Sequence, residues 1–226
     1  MNTGTMNMLF YTLIIIIPLI AQVRVNGAYS KYKKEKNSNK LSGFEVARKI
    51  LDSNGLEDVY VVETSGNLTD HYDPSRKVIK LSRDIFHGDT IAAASVAAHE
   101  CGHAIQDKDN YTFMKIRSFL VPLVNFVSGF SWVVIVIGLF TEIFNIFIFG
   151  ISLISITLLF QLVTLPVEFD ASKRAQNELD KLNLVSNDEM VGVKNMLSAA
   201  AMTYVASVLT SVLEILRLLM LFNDRD

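Results

Sequence analysis

Two histidines four residues apart, with a glutamate directly after the first, form the pattern with the clearest chemistry in this chain. The pattern is His99-Glu100-Cys101-Gly102-His103, in an alanine-rich segment that the sequence predicts to be a helix over Ile91–Asp107. On a helix, residues four apart lie on the same face, so both imidazoles can reach one zinc ion (Zn2+). The glutamate is then close enough to handle a proton on a zinc-activated water. The spacing therefore predicts a catalytic zinc site.

A catalytic zinc site needs a third protein ligand, and Glu168 is the favoured candidate. It lies two residues after Pro166, where a long apolar segment ends. If the chain between His103 and Glu168 is a membrane hairpin, it returns to the side from which it left, and the two residues come close in space. Pro166 can also bend the helix and aim the carboxylate inward.

Other third ligands stay open at this stage. Asp109 lies where the pattern H-E-x-x-H-x-x-G-x-x-H/D has its last ligand, but that pattern needs a glycine where this chain has Gln106. His71 and His87 have no spacing that places them near the motif, and a lone loop histidine is more often a surface group. Glu142 is excluded if the tip of the membrane hairpin lies outside the cell.

The composition indicates a membrane protein with polar insertions. Half of the 226 residues are hydrophobic, 19% are charged, and the net charge is −2. The apolar residues gather at both ends and in the middle of the chain. No basic block is interleaved with aromatic residues, so the sequence gives no support for nucleic-acid binding. The single cysteine excludes an internal disulfide.

The sequence predicts a mainly α, polytopic membrane protein with about four transmembrane helices and a small α+β cytosolic insert that carries the motif helix. The predicted segments are an N-terminal transmembrane anchor (8–27), the cytosolic insert (28–116), a transmembrane hairpin (117–166), a cytosolic helix with the third zinc ligand (167–196) and a fourth transmembrane helix (197–222). The lipid bilayer is thus a predicted partner.

Charge asymmetry predicts the orientation of these segments. Lysines are dense in 31–40, directly after the first apolar run, and no Lys or Arg occurs between Arg117 and Lys173. By the positive-inside rule, the active site faces the cytoplasm of a multi-pass cell-membrane protein, and both termini lie outside. A cleaved signal peptide is the rival interpretation of the first run, but Met1–Asn7 lacks the positive charge that signal peptides carry.

The polar insert begins with a capping box at Ser42–Glu45, which predicts a helix over Phe44–Leu51. Two β-branched runs, Val59–Val62 and Lys77–Ser82, predict strands that form a hairpin or part of a small sheet. The strand at 78–82 is a candidate edge to which an extended substrate can add.

Several stretches together resemble the bacterial neutral zinc metallopeptidases of the YugP-like membrane family, whose layout is similar to that of HtpX-like and prenyl-protein endopeptidases. These stretches are Ala98–Gln106, Leu68–Pro74, Leu165–Ser172 and Ala199–Ala206. The resemblance covers nearly the whole chain. It implies a membrane-embedded zinc peptidase that acts on peptide or protein substrates, with membrane proteins among the candidates.

The resemblance also implies site residues. In the similar endopeptidases a glutamate after a membrane hairpin is the third ligand, which corresponds to Glu168. Those relatives have an aspartate four residues later that supports a ligand histidine, and this chain has Ser172 there. We therefore expect support from elsewhere, with Asp170 as the candidate. Cys101 points to another helix face than His99 and is not expected to bind metal.

Together these features predict a gluzincin-like metalloendopeptidase in which Glu100 is the general base. Arg174, Tyr204 and His71 are candidates for stabilising the oxyanion. Each has a plainer explanation: a charge that follows a membrane span, packing in the fourth span, and shaping of a loop. The rival function is a catalytically degenerate membrane scaffold or binding protein that retains the metal site. Proteolysis within the bilayer is disfavoured, because the chain has no Asp-Gly pair.

Overall fold

The computed structural model describes residues 3–223, and within that range the chain forms seven helices and three strands. The helices are α1 (Thr3–Tyr32), α2 (Gly43–Ser53), α3 (Arg83–His87), α4 (Ile91–Lys108), α5 (Thr112–Thr141), α6 (Phe144–Lys181) and α7 (Asn187–Asn223). The strands are β1 (Tyr60–Thr64), β2 (His71–Asp73) and β3 (Val78–Ser82). The chain is mainly helical, as predicted, and it divides into two compact units. Both termini are predicted to lie outside the cell. Residues 1–2 and 224–226, at the two ends, are outside the range that the structure describes.

Four helices in the described chain are long and apolar enough to cross a membrane. They cover Gly4–Tyr32, Thr112–Thr141, Phe144–Lys181 and Asn187–Leu221. The first unit contains the parts of these helices that lie within residues 3–22, 115–165 and 202–223. Large apolar side chains such as Phe119 and Phe140 are 79% and 86% exposed there. Exposure of this kind suits lipid and not water.

The first unit has a core of its own where α5 and α6 approach closely. Phe147 is fully buried, with Ile135 and Leu218 in the same cluster. A Cβ at Gly138 would lie 2.6 Å from the backbone nitrogen of Phe147, so only glycine permits this separation. Small residues at helix contacts are typical of membrane helix packing.

The second unit, Val23–Met114 with Pro166–Ala201, contains the polar segments of the chain. Its helix α2 begins with the predicted capping box: the Ser42 side chain accepts a hydrogen bond from the Glu45 backbone, and the Glu45 carboxylate accepts one from the Ser42 backbone. The neighbouring helix α4 begins after Thr90, as predicted, and its alanines at 92–94, 97 and 98 are completely buried. Small side chains thus let other elements pack on α4 from several sides.

The three strands form one sheet in the order β1-β3-β2. β1 runs parallel to β3, with Tyr60 opposite Val78, and β2 runs antiparallel to β3, with Tyr72 opposite Ile79. The two predicted strands are therefore neighbours in a small sheet, and the alternative in which they form a hairpin is wrong. The prediction that residues 78–82 form an edge is also wrong, because β3 is the central strand and is paired on both sides.

Candidate metal centre

Helix α4 brings the two motif histidines together in the way that their spacing predicts. Thr90 caps its N-terminus by accepting a hydrogen bond from the Ala93 backbone, and the helix continues without interruption to Lys108. The imidazole ring centroids of His99 and His103 are 4.8 Å apart, and the ring planes are inclined at 82°. Both side chains are thus on one face, one turn apart.

Glu168, from α6, places a carboxylate oxygen between these two rings. Its Oε2 lies 3.3 Å from Nε2 of His99 and 3.6 Å from Nε2 of His103. The three ligand atoms all lie within 4.8 Å of one another. Ligands bound tetrahedrally to zinc at about 2.0–2.2 Å are separated from one another by about 3.3–3.6 Å. Two nitrogens and one carboxylate oxygen at this spacing fit zinc in both geometry and ligand type.

A glycine lets α6 come close enough for Glu168 to reach the histidines. A Cβ at Gly102 would lie 2.5 Å from the carbonyl oxygen of Ala171, a distance that real Cβ atoms do not show. The backbones of α4 and α6 are therefore in direct contact beside the ligands. Every larger residue at this position would push α6 away from the motif helix.

The electrostatics of the three residues suit a cation. Glu168 is 2% exposed and His103 is 7% exposed. Burial by itself raises the pKa of Glu168, but its contacts with His103 and His99 outweigh that effect and hold the pKa well below its usual range. Burial lowers the pKa of His103, and Glu168 more than reverses this change, so the pKa is raised. The site thus buries a carboxylate in its ionised form, which needs a positive partner.

Each histidine also has a partner for its second ring nitrogen. Nδ1 of His99 lies 3.3 Å from Oγ of Ser172, and Nδ1 of His103 lies 3.0 Å from Oε1 of Gln106. The Nε2 atoms are thus the ones left to face Glu168. The expectation that support must come from a residue other than Ser172 was wrong for His99, because the shorter serine side chain still reaches its ring.

Comparison with known proteins identifies the family of this chain. The model of a family described as "Putative neutral zinc metallopeptidase" matches residues 7–223. This chain belongs to that family. A relative from Bacillus subtilis (strain 168), described as "Putative membrane protease YugP", is 45% identical over 207 residues, which cover 91% of this chain and 92% of the relative. No solved structure matches the chain. The predicted family and the predicted zinc cofactor are thereby confirmed.

The other candidate ligands in this chain have different partners. Asp109 forms an ion pair with Arg174, with 2.6 Å between Oδ2 and Nη1. His71 lies on β2, with its Nδ1 2.8 Å from the carbonyl oxygen of Thr69. His87, in α3, contacts Glu63 at 2.8 Å. Within residues 3–223, the group of residues that could hold a metal ion is His99, His103 and Glu168, and it includes none of these three.

Glu100 and Cys101 occupy the middle of the motif. Glu100 is 7% exposed, and its negative charge contributes to the raised pKa of His103, so the two side chains are electrostatic neighbours. Cys101 is fully buried, and its Sγ lies 3.6 Å from the carbonyl oxygen of Ala47 in α2. Burial raises the pKa of this thiol. Cys101 therefore packs into the core on the side away from the metal ligands.

The remaining predicted site residues are Asp170, Arg174 and Tyr204. Asp170 contacts Gln106 at 2.9 Å and Arg174 at 2.6 Å, so it supports His103 through Gln106 and not directly. Arg174 is engaged by two carboxylates. Tyr204 belongs to α7 within the first unit, whereas the metal ligands belong to the second. The roles of Arg174, Tyr204 and His71 in catalysis stay predictions.

Gln106 is a site residue that the sequence-based argument missed. It was considered only as the residue that replaces a glycine in a longer motif. Its position three residues after His103 could have identified it, since side chains at i and i+3 on a helix are neighbours. A polar residue at that spacing from a predicted histidine ligand is a candidate to form a hydrogen bond with the second ring nitrogen of that histidine.

Proposed function

We propose that this chain is a membrane-anchored zinc metalloendopeptidase that hydrolyses peptide bonds. The observation that carries the proposal is the group of His99, His103 and Glu168, whose ligand atoms lie within 4.8 Å of one another and which includes the motif histidines on either side of the buried Glu100. Three protein ligands leave the fourth position of a catalytic zinc site for water or substrate. Membership of a zinc metallopeptidase family supports the same conclusion.

The chain's own residues would divide the chemistry between them. His99, His103 and Glu168 hold the metal, which, when bound, polarises a carbonyl and lowers the pKa of water toward neutrality. Glu100 accepts a proton from the attacking water and delivers it to the leaving amine. Its burial keeps bulk water from competing for that proton. This division of roles makes the enzyme gluzincin-like.

The sheet offers a place for an extended substrate at β2 and not at the central β3. Strand β2 pairs with β3 on one side only, so its other side is an edge of the sheet. The hydroxyl of Tyr72 in β2 donates a hydrogen bond of 2.9 Å to Asp107 at the end of the motif helix. A peptide that adds to this edge as a further strand would be held by main-chain hydrogen bonds. The fixed attachment of β2 to α4 would then set the register between substrate and metal.

The distribution of charge supports a position for the site on the cytoplasmic side of the cell membrane. The lysine-rich stretch at 31–40 and the basic residues from Lys173 onward belong to the polar segments, and the chain between Arg117 and Lys173 has no Lys or Arg. Both termini would then lie outside. Substrates would be peptides or proteins that reach the cytoplasmic side, including membrane proteins.

The decisive experiment compares full-length wild type with Glu100→Gln, purified in detergent and loaded with zinc. We expect Glu100→Gln to keep one zinc per chain and to lose cleavage of an unfolded protein such as casein by at least a thousandfold. Equal cleavage by the variant would refute the role of Glu100. If zinc-loaded wild type cleaves nothing, and the cellular phenotype of the native gene survives Glu100→Gln, the scaffold function is supported instead.

A further inference from the structure

Gln106 uses all of its side-chain hydrogen-bonding atoms in the core of the second unit. It is completely buried on α4. Its Oε1 lies 3.0 Å from Nδ1 of His103, and its Nε2 donates to the carbonyl oxygen of Val167 at 2.7 Å and to Oδ2 of Asp170 at 2.9 Å. Three partner atoms thus surround one amide group.

The partners of Gln106 leave only one orientation for its amide. A backbone carbonyl oxygen has no hydrogen to donate, and neither does an ionised carboxylate, so the NH2 group must face Val167 and Asp170. The amide oxygen then faces His103. Because that oxygen can only accept, Nδ1 of a neutral His103 must carry the proton. The lone pair of the imidazole is left on Nε2, the atom that faces Glu168.

Asp170 is held in turn by an ion-pair chain that joins α4 to α6. Nε of Arg174 lies 2.6 Å from Oδ2 of Asp170, the same oxygen that accepts from Gln106. Nη1 of Arg174 lies 2.6 Å from Oδ2 of Asp109, the residue that caps the C-terminus of α4. The guanidinium also lies 6.0 Å from the ring centre of Tyr111. Oδ2 of Asp170 therefore accepts hydrogen bonds from both Arg174 and Gln106, which fixes the carboxylate beside the amide.

We propose that Gln106 is a positioning residue that selects the metal-binding tautomer of His103, and that Asp170, Arg174 and Asp109 hold its amide in the required orientation. The inference rests on the proposed zinc site. It adds that the protein, through Gln106, keeps a proton on Nδ1 and so leaves Nε2 as the ring atom that binds metal. Groups of this kind around zinc ligands affect metal affinity, typically by about 10–100-fold.

His99 provides the internal comparison. Its Nδ1 contacts a hydroxyl, Oγ of Ser172, at 3.3 Å. A hydroxyl both donates and accepts, so it tolerates either tautomer of the ring. Ser172 should therefore contribute less to metal affinity than Gln106, although both residues contact a ligand histidine.

The test measures zinc affinity by competition with a chelator, using full-length protein in detergent, together with the visible spectrum of the Co2+-loaded protein. We expect Gln106→Met, which keeps the volume and loses the hydrogen bonds, to bind zinc at least tenfold more weakly than wild type. Ser172→Ala should change the affinity by less than fivefold. Thermal unfolding of the metal-free proteins shows whether Gln106→Met remains folded.

A rescue pair separates positioning from loss of packing. Gln106→Glu keeps an acceptor for His103 but sets a carboxylate against Asp170, so it should also bind zinc at least tenfold more weakly. Adding Asp170→Asn removes the repulsion and returns a donor, and we expect at least fivefold recovery of affinity and a Co2+ spectrum close to that of wild type. The carbonyl of Val167 lacks its donor in both variants, so their difference isolates the contact between positions 106 and 170.

The outcomes of the test are distinct. Zinc binding by Gln106→Met within threefold of wild type, or no recovery in the double variant, would overturn the inference. Because the readout is metal affinity, the inference is judged even if the wild type cleaves no peptide, an outcome that would count against the proposed function alone. Loss of cleavage in Glu100→Gln with unchanged affinity in Gln106→Met would refute the inference and leave the proposed function standing.

Discussion

Gly102 is the position at which one added methyl group should disturb the metal site most. A Cβ there would lie 2.5 Å from the carbonyl oxygen of Ala171, whereas ordinary contact begins at 3.4 Å. In Gly102→Ala, the backbones of α4 and α6 must therefore separate locally by about 0.9 Å, the difference between these two distances. The carboxylate of Glu168, three residues before Ala171 on α6, moves with that backbone.

The expected effects differ in size for stability and for metal binding. Overpacking of this kind costs about 1–3 kcal/mol, and the better helix propensity of alanine returns about 1 kcal/mol, so the metal-free protein should lose about 0–2 kcal/mol of unfolding free energy. Zinc–ligand distances hold within about 0.2 Å, so a shift several times larger should lower zinc affinity at least tenfold. Metal binding is thus expected to suffer more than folding.

The assay is zinc competition and thermal unfolding of Gly102→Ala beside a matched control, Gly27→Ala. Gly27 is also helical, but a Cβ at that position meets nothing within 4 Å. The control should bind zinc like wild type and be equally stable or slightly more stable. If Gly102→Ala binds zinc as tightly as the control does, the close approach of α4 and α6 is not what positions Glu168, and the reasoning fails.

Two further predictions concern the ligand set and the core. Glu168→Ala should lose stoichiometric zinc, whereas Asp109→Ala should keep it; metal analysis that shows the reverse would make Asp109 the third ligand. Cys101, the only cysteine, is buried with a raised thiol pKa, so iodoacetamide should modify it only when the second unit opens. Added zinc should therefore slow this modification in wild type but not in Glu168→Ala, and rapid labelling of the zinc-loaded native protein would contradict the burial of Cys101.

The parts of the fold that local sequence controls were predicted well. The capping box at Ser42 and the start of α4 after Thr90 were both correct, because a cap is decided within three or four residues. The sheet was predicted less well. Strand β2 has only three residues, too few for an alternating pattern to show, and the strand at 78–82 was taken for an edge although it is central. Strand order depends on contacts that no single segment encodes.

The candidate site also has features that local sequence predicts and features that depend on contacts between distant segments. The H-E-x-x-H pattern predicted two ligands and a base, because helical spacing by itself places His99 and His103 on one face. The sequence left Glu168 and Asp109 as competitors. In the structure Glu168 lies between the two imidazoles, and Asp109 pairs with Arg174. The support of His99 by Ser172 was not expected, since it depends on a distance and not on a residue type.

The sequence by itself determined the class of protein, the zinc cofactor and the helix that carries the motif. These follow from composition and from periodicity within one segment, which act over a few residues. Only the tertiary structure decided the partners of that helix: the carboxylate at 168, the hydroxyl at 172 and the amide of Gln106. Glu168 is 65 residues from His103 along the chain but 3.6 Å away in space. That proximity requires the close contact between α4 and α6 at Gly102, and packing between segments distant in sequence sets it.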